Sequence, residues 1–233
     1  MPRPLRITTP NILFHILNRG NNRQLIFKDE RDYIYFINLL KKYKKELLFN
    51  LYHFCLMPNH THFMIEPTTE NSLSKIMMRL TLSYSLYFNK KYKGVGHVWQ
   101  GRYKSSLIDK ENYFIWCGLY NELNPVRAGI VKHPKDWRWS SFNFYGSDQV
   151  DPFINDLIDK DPYYIELSPN PERRRQIYLD NIDKIIEENH LKYIRNKLDS
   201  GILGKSDFIK EMKVKFADFR VGSLKKKGRP KKK

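Results

Sequence analysis

Two histidines, His60 and His62, lie one residue apart in the stretch CLMPNHTHFMIEP (55–67), directly after a Pro-Asn pair. The residues around them are mostly apolar, which is typical of a buried strand. In a strand, residues i and i+2 project to the same face, so the two imidazoles would stand side by side while Thr61 and Phe63 point to the other face. Two neutral imidazoles so placed can bind one divalent metal ion. An H-x-H pattern is short, and two hydrogen-bonded histidines at a strand end remain the structural alternative.

A second pair of polar residues lies on the helix predicted in WCGLYNELNPVRAG (116–129). Tyr120 and Asn124 are four positions apart, so they share one face of that helix, with Cβ atoms roughly 5–6 Å apart. Each also has an ordinary structural explanation, because a tyrosine is often partly buried and an asparagine before Pro125 commonly ends a helix. Together with the two histidines, a phenol and a carboxamide supply the groups needed for metal-assisted phosphoryl transfer.

Alternating strands and helices carry these residues. The hydrophobic periodicity predicts strands at 11–19, 49–57, 60–66 and 101–109, and helices at 29–48, 72–92 and 110–123. This order, strand, helix, strand, strand, helix, strand and helix, predicts an α+β fold. Specifically, it predicts a ferredoxin-like (RRM-like) antiparallel sheet with helices packed on one face.

The sequence changes character after about Gly146. An N-terminal domain (1–146) carries both polar pairs, and a turn-rich, acidic linker (147–172) is predicted to follow it. Residues 173–221 show the pattern of two or three short amphipathic helices, a small helical extension that could bind DNA. The last segment (222–233) is low in complexity and basic, and we expect it to be disordered when unbound.

Charge and composition limit the partners and the compartment. The 233 residues carry a formal net charge of +17, which favours a polyanionic partner such as nucleic acid, although a basic solvated surface or a ribosomal-type structural protein is the alternative. The two cysteines are too few for a disulfide framework, and no apolar stretch is long enough to span a bilayer. We therefore expect a cytoplasmic, nucleoid-associated protein without a membrane partner.

Four stretches of the chain resemble the REP-associated tyrosine transposases, a group within the single-tyrosine HUH endonucleases. They are HILNRGNNRQLIF (15–27), CLMPNHTHFMIE (55–66), GHVWQGRYKSSLI (96–108) and LYNELNPVRAGIVKHPKDWRWSS (119–141). They follow one another in consistent order over about residues 3–145. One position departs from the family pattern, because Thr61 replaces the hydrophobic residue between the two histidines. Since Thr61 should face away from the metal, we expect metal binding to be unaffected.

The resemblance implies an activity and a role for each matching residue. It implies that residues 1–146 form a single-tyrosine HUH transposase domain with the ferredoxin-like sheet. His60, His62 and Asn124 match the family's metal ligands for Mg²⁺ or Mn²⁺, and Tyr120 matches its nucleophile. The implied reaction is cleavage of single-stranded DNA at hairpin (REP-like) sequences through a 5′-phosphotyrosine intermediate. Rejoining to another 3′-OH would make the protein an enzyme of DNA transposition and recombination.

Other residues in the matching stretches are candidate DNA contacts. The candidate phosphate contacts are Arg19, Arg23, Arg102, Lys104 and Arg127. The aromatic residues that could stack on unpaired bases are Trp99, Tyr103, Trp137 and Trp139. Most of these aromatic residues are expected to be core residues, and WRWSS (137–141) is expected to pack the helix of Tyr120 against the sheet. For each cation, an ordinary surface charge is the alternative.

The C-terminal segment KKKGRPKKK (225–233) resembles an AT-hook, in which Gly-Arg-Pro lies along a narrow minor groove. It holds seven positive charges and no negative one. The candidate contacts to AT-rich duplex DNA are Lys226, Lys227, Arg229 and Lys231. Nonspecific binding of any polyanion by a Lys-rich tail is the alternative.

Two other functions remain open at this point. A protein could keep the fold as a catalytically silent nucleic-acid-binding module, although such a module has no physical need for a clustered nucleophile and ligands. A replication-initiator nickase would use the same chemistry, but no stretch of this sequence resembles an attached helicase. The sequence leaves the recognised DNA sequence open, and it does not distinguish a monomer from a homodimer.

Overall fold

The computed structural model describes residues 9–69, 73–147, 151–187 and 190–217. Its centre is a five-stranded sheet. The strands are β1 (Phe14–Arg19), β2 (Phe49–Met57), β3 (His60–Pro67), β4 (Lys104–Ile108) and β5 (Ile202–Leu203). The helices are α1 (Glu30–Leu47), α2 (Leu73–Tyr92), α3 (Lys110–Glu122), α4 (Asn124–Arg127), α5 (Phe142–Tyr145), α6 (Pro152–Asn155), α7 (Pro162–Glu166), α8 (Pro171–Glu187), α9 (His190–Ser200) and α10 (Ser206–Lys215).

The strands lie in the order β2-β3-β1-β4-β5. Strands β1 to β4 pair with one another in antiparallel orientation, and β5 pairs with β4 in parallel. In the ladder, Leu17 and Cys55 lie opposite His62 on its two sides. Side chains directly opposite one another project to the same face, so this register determines which side chains from β1 and β2 stand beside the histidines.

One face of the sheet is covered by α1 and α2. The helix α1 begins with a capping box in which the side chain of Asp29 accepts from Asp32 N and the side chain of Asp32 accepts from Asp29 N. Its apolar stripe faces the sheet, and the Phe36 ring stacks on Phe63 with centroids 6.0 Å apart. Phe63 therefore points to the α1 side, as the alternation along β3 predicts.

The other face of the sheet is covered by α3, which contacts β2 and β3. The prediction that all helices lie on one face is therefore wrong. Periodicity identifies the apolar side of a helix, but β2 and β3 are buried on both faces, so their pattern does not show which face receives which helix. The α+β class is confirmed, and the elements carrying the site lie within a few residues of their predicted bounds. The ferredoxin-like assignment remains a prediction.

Residues after 150 pack directly on the sheet. Asp159 N donates to Leu51 O at 2.9 Å, and Ser106 Oγ donates to Leu198 O at 2.7 Å. The predicted helical extension is confirmed as α8, α9 and α10, whereas the domain boundaries remain a prediction. The basic tail lies outside the described residues. Within the part of the chain that is described, no helix is long and apolar enough to cross a bilayer.

Candidate active site

The histidine pair lies at the start of β3, directly after the turn at Pro58 and Asn59. The ring centroids of His60 and His62 are 5.0 Å apart. Both rings lie on the α3 side of the sheet, opposite to Phe63. The sequence prediction of two adjacent imidazoles on one face is therefore confirmed.

Hydrogen bonds leave one ring nitrogen of each histidine free to bind a ligand. His60 Nδ1 lies 2.6 Å from Asn59 Oδ1, and Asn59 Nδ2 donates to Arg23 O at 3.3 Å. That second bond fixes the amide so that its oxygen faces His60, and His60 Nδ1 must then donate. His60 Nε2 consequently keeps its lone pair. His62 Nδ1 is occupied by His15 Nε2 at 3.1 Å, which leaves His62 Nε2 for a ligand.

The three histidines are held in the neutral form. Burial lowers the pKa of His15 to about 4, and burial followed by the charge of Arg19 lowers the pKa of His60 to about 4. Burial, then the neighbouring histidines and the charges of Arg127 and Arg19, hold the pKa of His62 well below its ordinary value. Near neutral pH these imidazoles present lone pairs, which is the form that a metal ion binds.

Tyr120 lies beside this cluster on the last turn of α3. Its ring centroid is 6.5 Å from His62 and 6.2 Å from His15. The residue is 6% exposed, and the guanidinium of Arg127 lies over its ring at 4.6 Å from the centroid. The structure thus brings the predicted nucleophile next to the predicted metal ligands and places a predicted DNA contact over it.

Asn124 begins the short helix α4, which follows α3 with Pro125 in its first turn. Asn124 Nδ2 donates to Tyr120 O at 3.2 Å and to Asn121 O at 2.9 Å. Because carbonyl oxygens only accept, these two bonds fix the amide with Oδ1 turned away from them. Arg127 Nη1 reaches that oxygen at 3.5 Å. The carboxamide oxygen is therefore turned toward Arg127, one helical turn after Tyr120.

The predicted phosphate contacts fall into two groups. Arg19 lies opposite His60 in the ladder, Lys104 lies opposite Leu17 on the same face, and Arg127 covers Tyr120. Arg23, at the end of a short 3-10 helix (Asn21–Arg23), and Arg102, in a loop, are exposed. The backbone carbonyl of Arg23 accepts from Asn59 Nδ2, in the turn before β3. None of the described contacts joins Arg102 to the histidines.

The four candidate stacking residues are packed rather than open. Trp99 and Tyr103 are buried in the core. Trp137 and Trp139 pack on Tyr33 of α1, with ring centroids at 6.1 and 4.6 Å. The expectation that WRWSS packs the helix of Tyr120 is wrong for its tryptophans, which contact the α1 side instead.

Sequence reasoning missed His15. It lies on β1, two residues before Leu17, and so on the face that carries the histidine pair. The available signal was a lone histidine in the apolar strand FHILNR, which alternation alone would have placed on that face. Across the described ranges, no group of three or more His, Cys, Asp or Glu side chains is arranged to hold a metal ion. The candidate ligand set instead combines two histidines with a carboxamide.

Three matches relate this chain to known proteins. The model of the family "Transposase IS200 like" matches residues 8–117. A curated protein of Haemophilus influenzae, named "Putative REP-associated tyrosine transposase", is 29% identical over 100 residues, which cover 38% of this chain and 56% of that protein. The match thus spans about half the length of this curated relative.

A solved structure, described as a REP-associated tyrosine transposase bound to a REP hairpin, aligns with a TM-score of 0.53 and 19% identity. The alignment covers 68% of this chain and 94% of that one. At this identity the solved structure supports the fold alone. The resemblance to REP-associated tyrosine transposases that the motifs indicated is confirmed by the family model and the curated relative together.

Proposed function

We propose that this protein is a metal-dependent single-stranded DNA endonuclease and strand transferase of the transposase type, with Tyr120 as its nucleophile. The observation that carries the proposal is the position of the Tyr120 phenol beside His62 and His15, one helical turn before a carboxamide whose oxygen is turned away from the Tyr120 and Asn121 carbonyls. The match to IS200-like transposases over residues 8–117 supports the same activity.

The residues at the site fit a divalent cation. His60 Nε2, His62 Nε2 and Asn124 Oδ1 are the donors, and the lowered pKa values keep the two imidazoles unprotonated. Two neutral nitrogen donors and one oxygen suit Mn²⁺, and Mg²⁺ could bind with water completing its octahedron. Such an ion would act as a Lewis acid toward a non-bridging oxygen of the scissile phosphate.

The chain's own residues would perform the remaining tasks. Tyr120 Oη attacks the phosphorus as the phenol loses its proton, the P–O3′ bond breaks, and the departing 3′ oxygen takes up a proton as a free 3′-OH. The product is a 5′-phosphotyrosine, which a second 3′-OH can attack to rejoin DNA without ATP. His15 would accept from His62 Nδ1, because that direction of the bond between them leaves the lone pair of His62 on Nε2.

The proposed substrate is single-stranded or hairpin DNA of the REP type. The hairpin bound in the solved relative and the formal net charge of +17 both support this choice. Arg127 and Arg19, which flank the histidines, would contact the phosphates around the cut. Release of Arg127 from the Tyr120 ring toward a phosphate would uncover the nucleophile. Binding of AT-rich duplex by the tail remains a separate proposal, since the tail lies outside the described residues.

The experiment uses hairpin DNA labelled at the 5′ or the 3′ end, Mn²⁺ and a denaturing gel. Wild type is compared with Tyr120→Phe, His60→Ala and the control Tyr113→Phe. Tyr113 lies two turns earlier on the same helix, and its hydroxyl contacts the exposed Tyr193 hydroxyl at 3.2 Å. Wild type and Tyr113→Phe should form a covalent adduct with the fragment on the 3′ side of the cut, which is held through its 5′-phosphate and carries the 3′ label.

Tyr120→Phe should form no adduct, and His60→Ala should lower its yield by at least about a hundredfold, because ligand geometry supports the transition state. An adduct formed by Tyr120→Phe would refute the assigned nucleophile. Tight hairpin binding without an adduct, across a broad hairpin library, would favour the catalytically silent binding module.

A further inference from the structure

Three ionisable side chains form a fully buried cluster on the same sheet face as the histidine pair. His53 on β2 donates from Nδ1 to Glu122 Oε1 at 2.9 Å and from Nε2 to Asp161 Oδ2 at 3.3 Å. All three residues have no exposed surface. Burial acts to lower the pKa of His53, but its bonds to Asp161 and Glu122 raise it to about 9. His53 is therefore a buried cation near neutral pH.

Two hydroxyl groups donate the remaining side-chain hydrogen bonds to Glu122. Tyr178 on α8 donates to Glu122 Oε2 at 2.6 Å, and Ser141 donates to Glu122 Oε1 at 2.5 Å. Both carboxylate oxygens are thus hydrogen-bonded, as a charge without solvent requires. The partners come from β2, from the segment before α5 and from α8, so one side chain of α3 is held from three directions.

The backbone of α3 lies very close to the same cluster. A Cβ placed on Gly118 would lie 2.5 Å from His53 Cε1, so only glycine allows the helix to approach the ring this closely. The other end of the helix is held through its N-cap residue Asp109, whose carboxylate accepts from Asn112 Nδ2 at 3.0 Å and from Lys205 N at 3.2 Å. These contacts lie about two turns or more before Tyr120, so the contacts nearest to the C-terminal turn of α3 are those of Gly118 and Glu122.

Glu122 lies two residues after Tyr120 and two before Asn124. We propose that Glu122, held by His53, Ser141 and Tyr178, is a positioning residue that fixes the rotation of α3 and so aims Tyr120 and Asn124 at the histidine pair. The segment 151–187, which supplies Asp161 and Tyr178, is then part of the support of the active site. This inference rests on the proposed function of Tyr120 and adds residues that touch neither metal nor DNA.

A buried ion pair is not needed merely for stability, because apolar residues of similar volume often stabilise a fold as well. A hydrogen-bonded charge adds a directional constraint, because both oxygens of Glu122 keep their hydrogen bonds in only one orientation of α3. A displacement of about 1 Å at a nucleophile can cost up to about a hundredfold in rate. Loosening this cluster should therefore affect cleavage more than DNA binding.

The test compares Tyr178→Phe with Tyr145→Phe. Each removes one buried hydroxyl from the same part of the molecule, but Tyr145 donates to the backbone oxygens of Tyr52 and Asp159 rather than to Glu122. Both variants should lose similar thermal stability. Only Tyr178→Phe should lower the kcat of hairpin cleavage, by about tenfold or more, with KM within about twofold of wild type.

A second readout does not depend on activity. The full-length protein carries 3-fluorotyrosine, and the ¹⁹F resonance of Tyr120 is assigned by its loss in Tyr120→Phe. We expect that resonance to shift or broaden in Tyr178→Phe and to stay in place in Tyr145→Phe. Equal effects of the two variants on kcat and on the resonance, or no effect of either, would overturn the positioning role. A wild type that forms no adduct while its Tyr120 resonance responds only to Tyr178→Phe would refute the proposed function and keep the positioning role.

Discussion

His53 and His62 lie on neighbouring strands of one sheet face, both are buried, and both stand next to α3. The charged groups around the two rings nevertheless have opposite signs. His62 is surrounded by two other histidines and two arginines, which together with burial hold its pKa well below the ordinary value. His53 lies between two carboxylates, which raise its pKa to about 9 against the effect of burial.

Neighbouring carboxylates thus decide which of the two buried histidines is charged. Without them, burial leaves a neutral ring with a lone pair, and one nitrogen of His62 is free to bind a ligand. With them, the ring is a cation whose two N–H groups are both used. The first arrangement suits ligand binding and the second suits the fixing of a helix.

Alanine substitution should separate the two roles by the largest margin. His53→Ala leaves Glu122 and Asp161 buried without a cation, so we expect a loss of about 3–5 kcal/mol in the free energy of unfolding. His62→Ala removes a neutral ring and should cost under about 2 kcal/mol. Its main effect should be a loss of at least about tenfold in Mn²⁺ affinity.

Urea denaturation in EDTA measures the stability of both variants, and isothermal titration measures Mn²⁺ affinity. His62→Ala serves as the matched control for the removal of a buried imidazole. Equal stability losses in the two variants would show that the carboxylates around His53 make no difference, and the comparison would fail.

The two clusters should also give the pH dependence of stability opposite slopes. The folded chain holds the His53 proton up to about pH 9 while the unfolded chain releases it near 6.5, so this contribution is lost as pH rises through that window. His15 has a folded pKa of about 4, so stability is lost as pH falls below 6.5 toward 4. Each contribution is on the order of 3 kcal/mol.

Unfolding free energies of the metal-free protein at pH 5, 6.5 and 9 test this expectation. His53→Gln should flatten the alkaline side of the profile, and His15→Gln should reduce the slope of the acid side, to which His60 and His62 also contribute. An alkaline slope that is unchanged in His53→Gln would mean that His53 is not the buried cation described above.

The smallest expected effect concerns Thr61, which separates the two histidines in sequence but faces the α1 side. Its hydroxyl is buried and has no hydrogen-bond partner among the described residues. Thr61→Val should raise the free energy of unfolding by about 1 kcal/mol, because it removes an unsatisfied polar group at nearly constant volume. Thr61→Ser, which keeps the hydroxyl and loses the methyl group, is the control and should destabilise. A loss of cleavage in Thr61→Val would mean that both faces of β3 serve the site.

The parts of the site that could be predicted are those encoded by local geometry. The period of two along β3 placed His60 and His62 together, and the four-residue spacing placed Asn124 one turn after Tyr120. The parts that could not be predicted depend on contacts between distant segments. His53 meets Glu122 and Asp161 across 69 and 108 residues, and no periodicity within one element indicates such a pairing.

His15 was predictable in part. Its strand and its face followed from alternation, but its partner depended on β1 lying between β3 and β4, which is a property of the whole sheet. The prediction of which sheet face α3 covers was wrong for a related reason, because both faces of the central strands are apolar. Sequence patterns thus indicated what each element carries, and the assembled sheet determined which elements meet.

The edges of the sheet have a consequence for association between molecules. At the β2 edge, Leu56 N donates to Trp139 O at 2.8 Å, and Asp159 pairs with Leu51 through its backbone and side chain. At the opposite edge, β5 lies along β4. Unpaired strand edges are the templates on which chains aggregate by adding strands to one another. In the described part of the chain, later residues cover the β2 edge, so a neighbouring molecule would have to displace them to extend the sheet there. At the other edge the sheet ends in β5, and a strand of two residues offers a neighbouring strand few backbone groups to pair with.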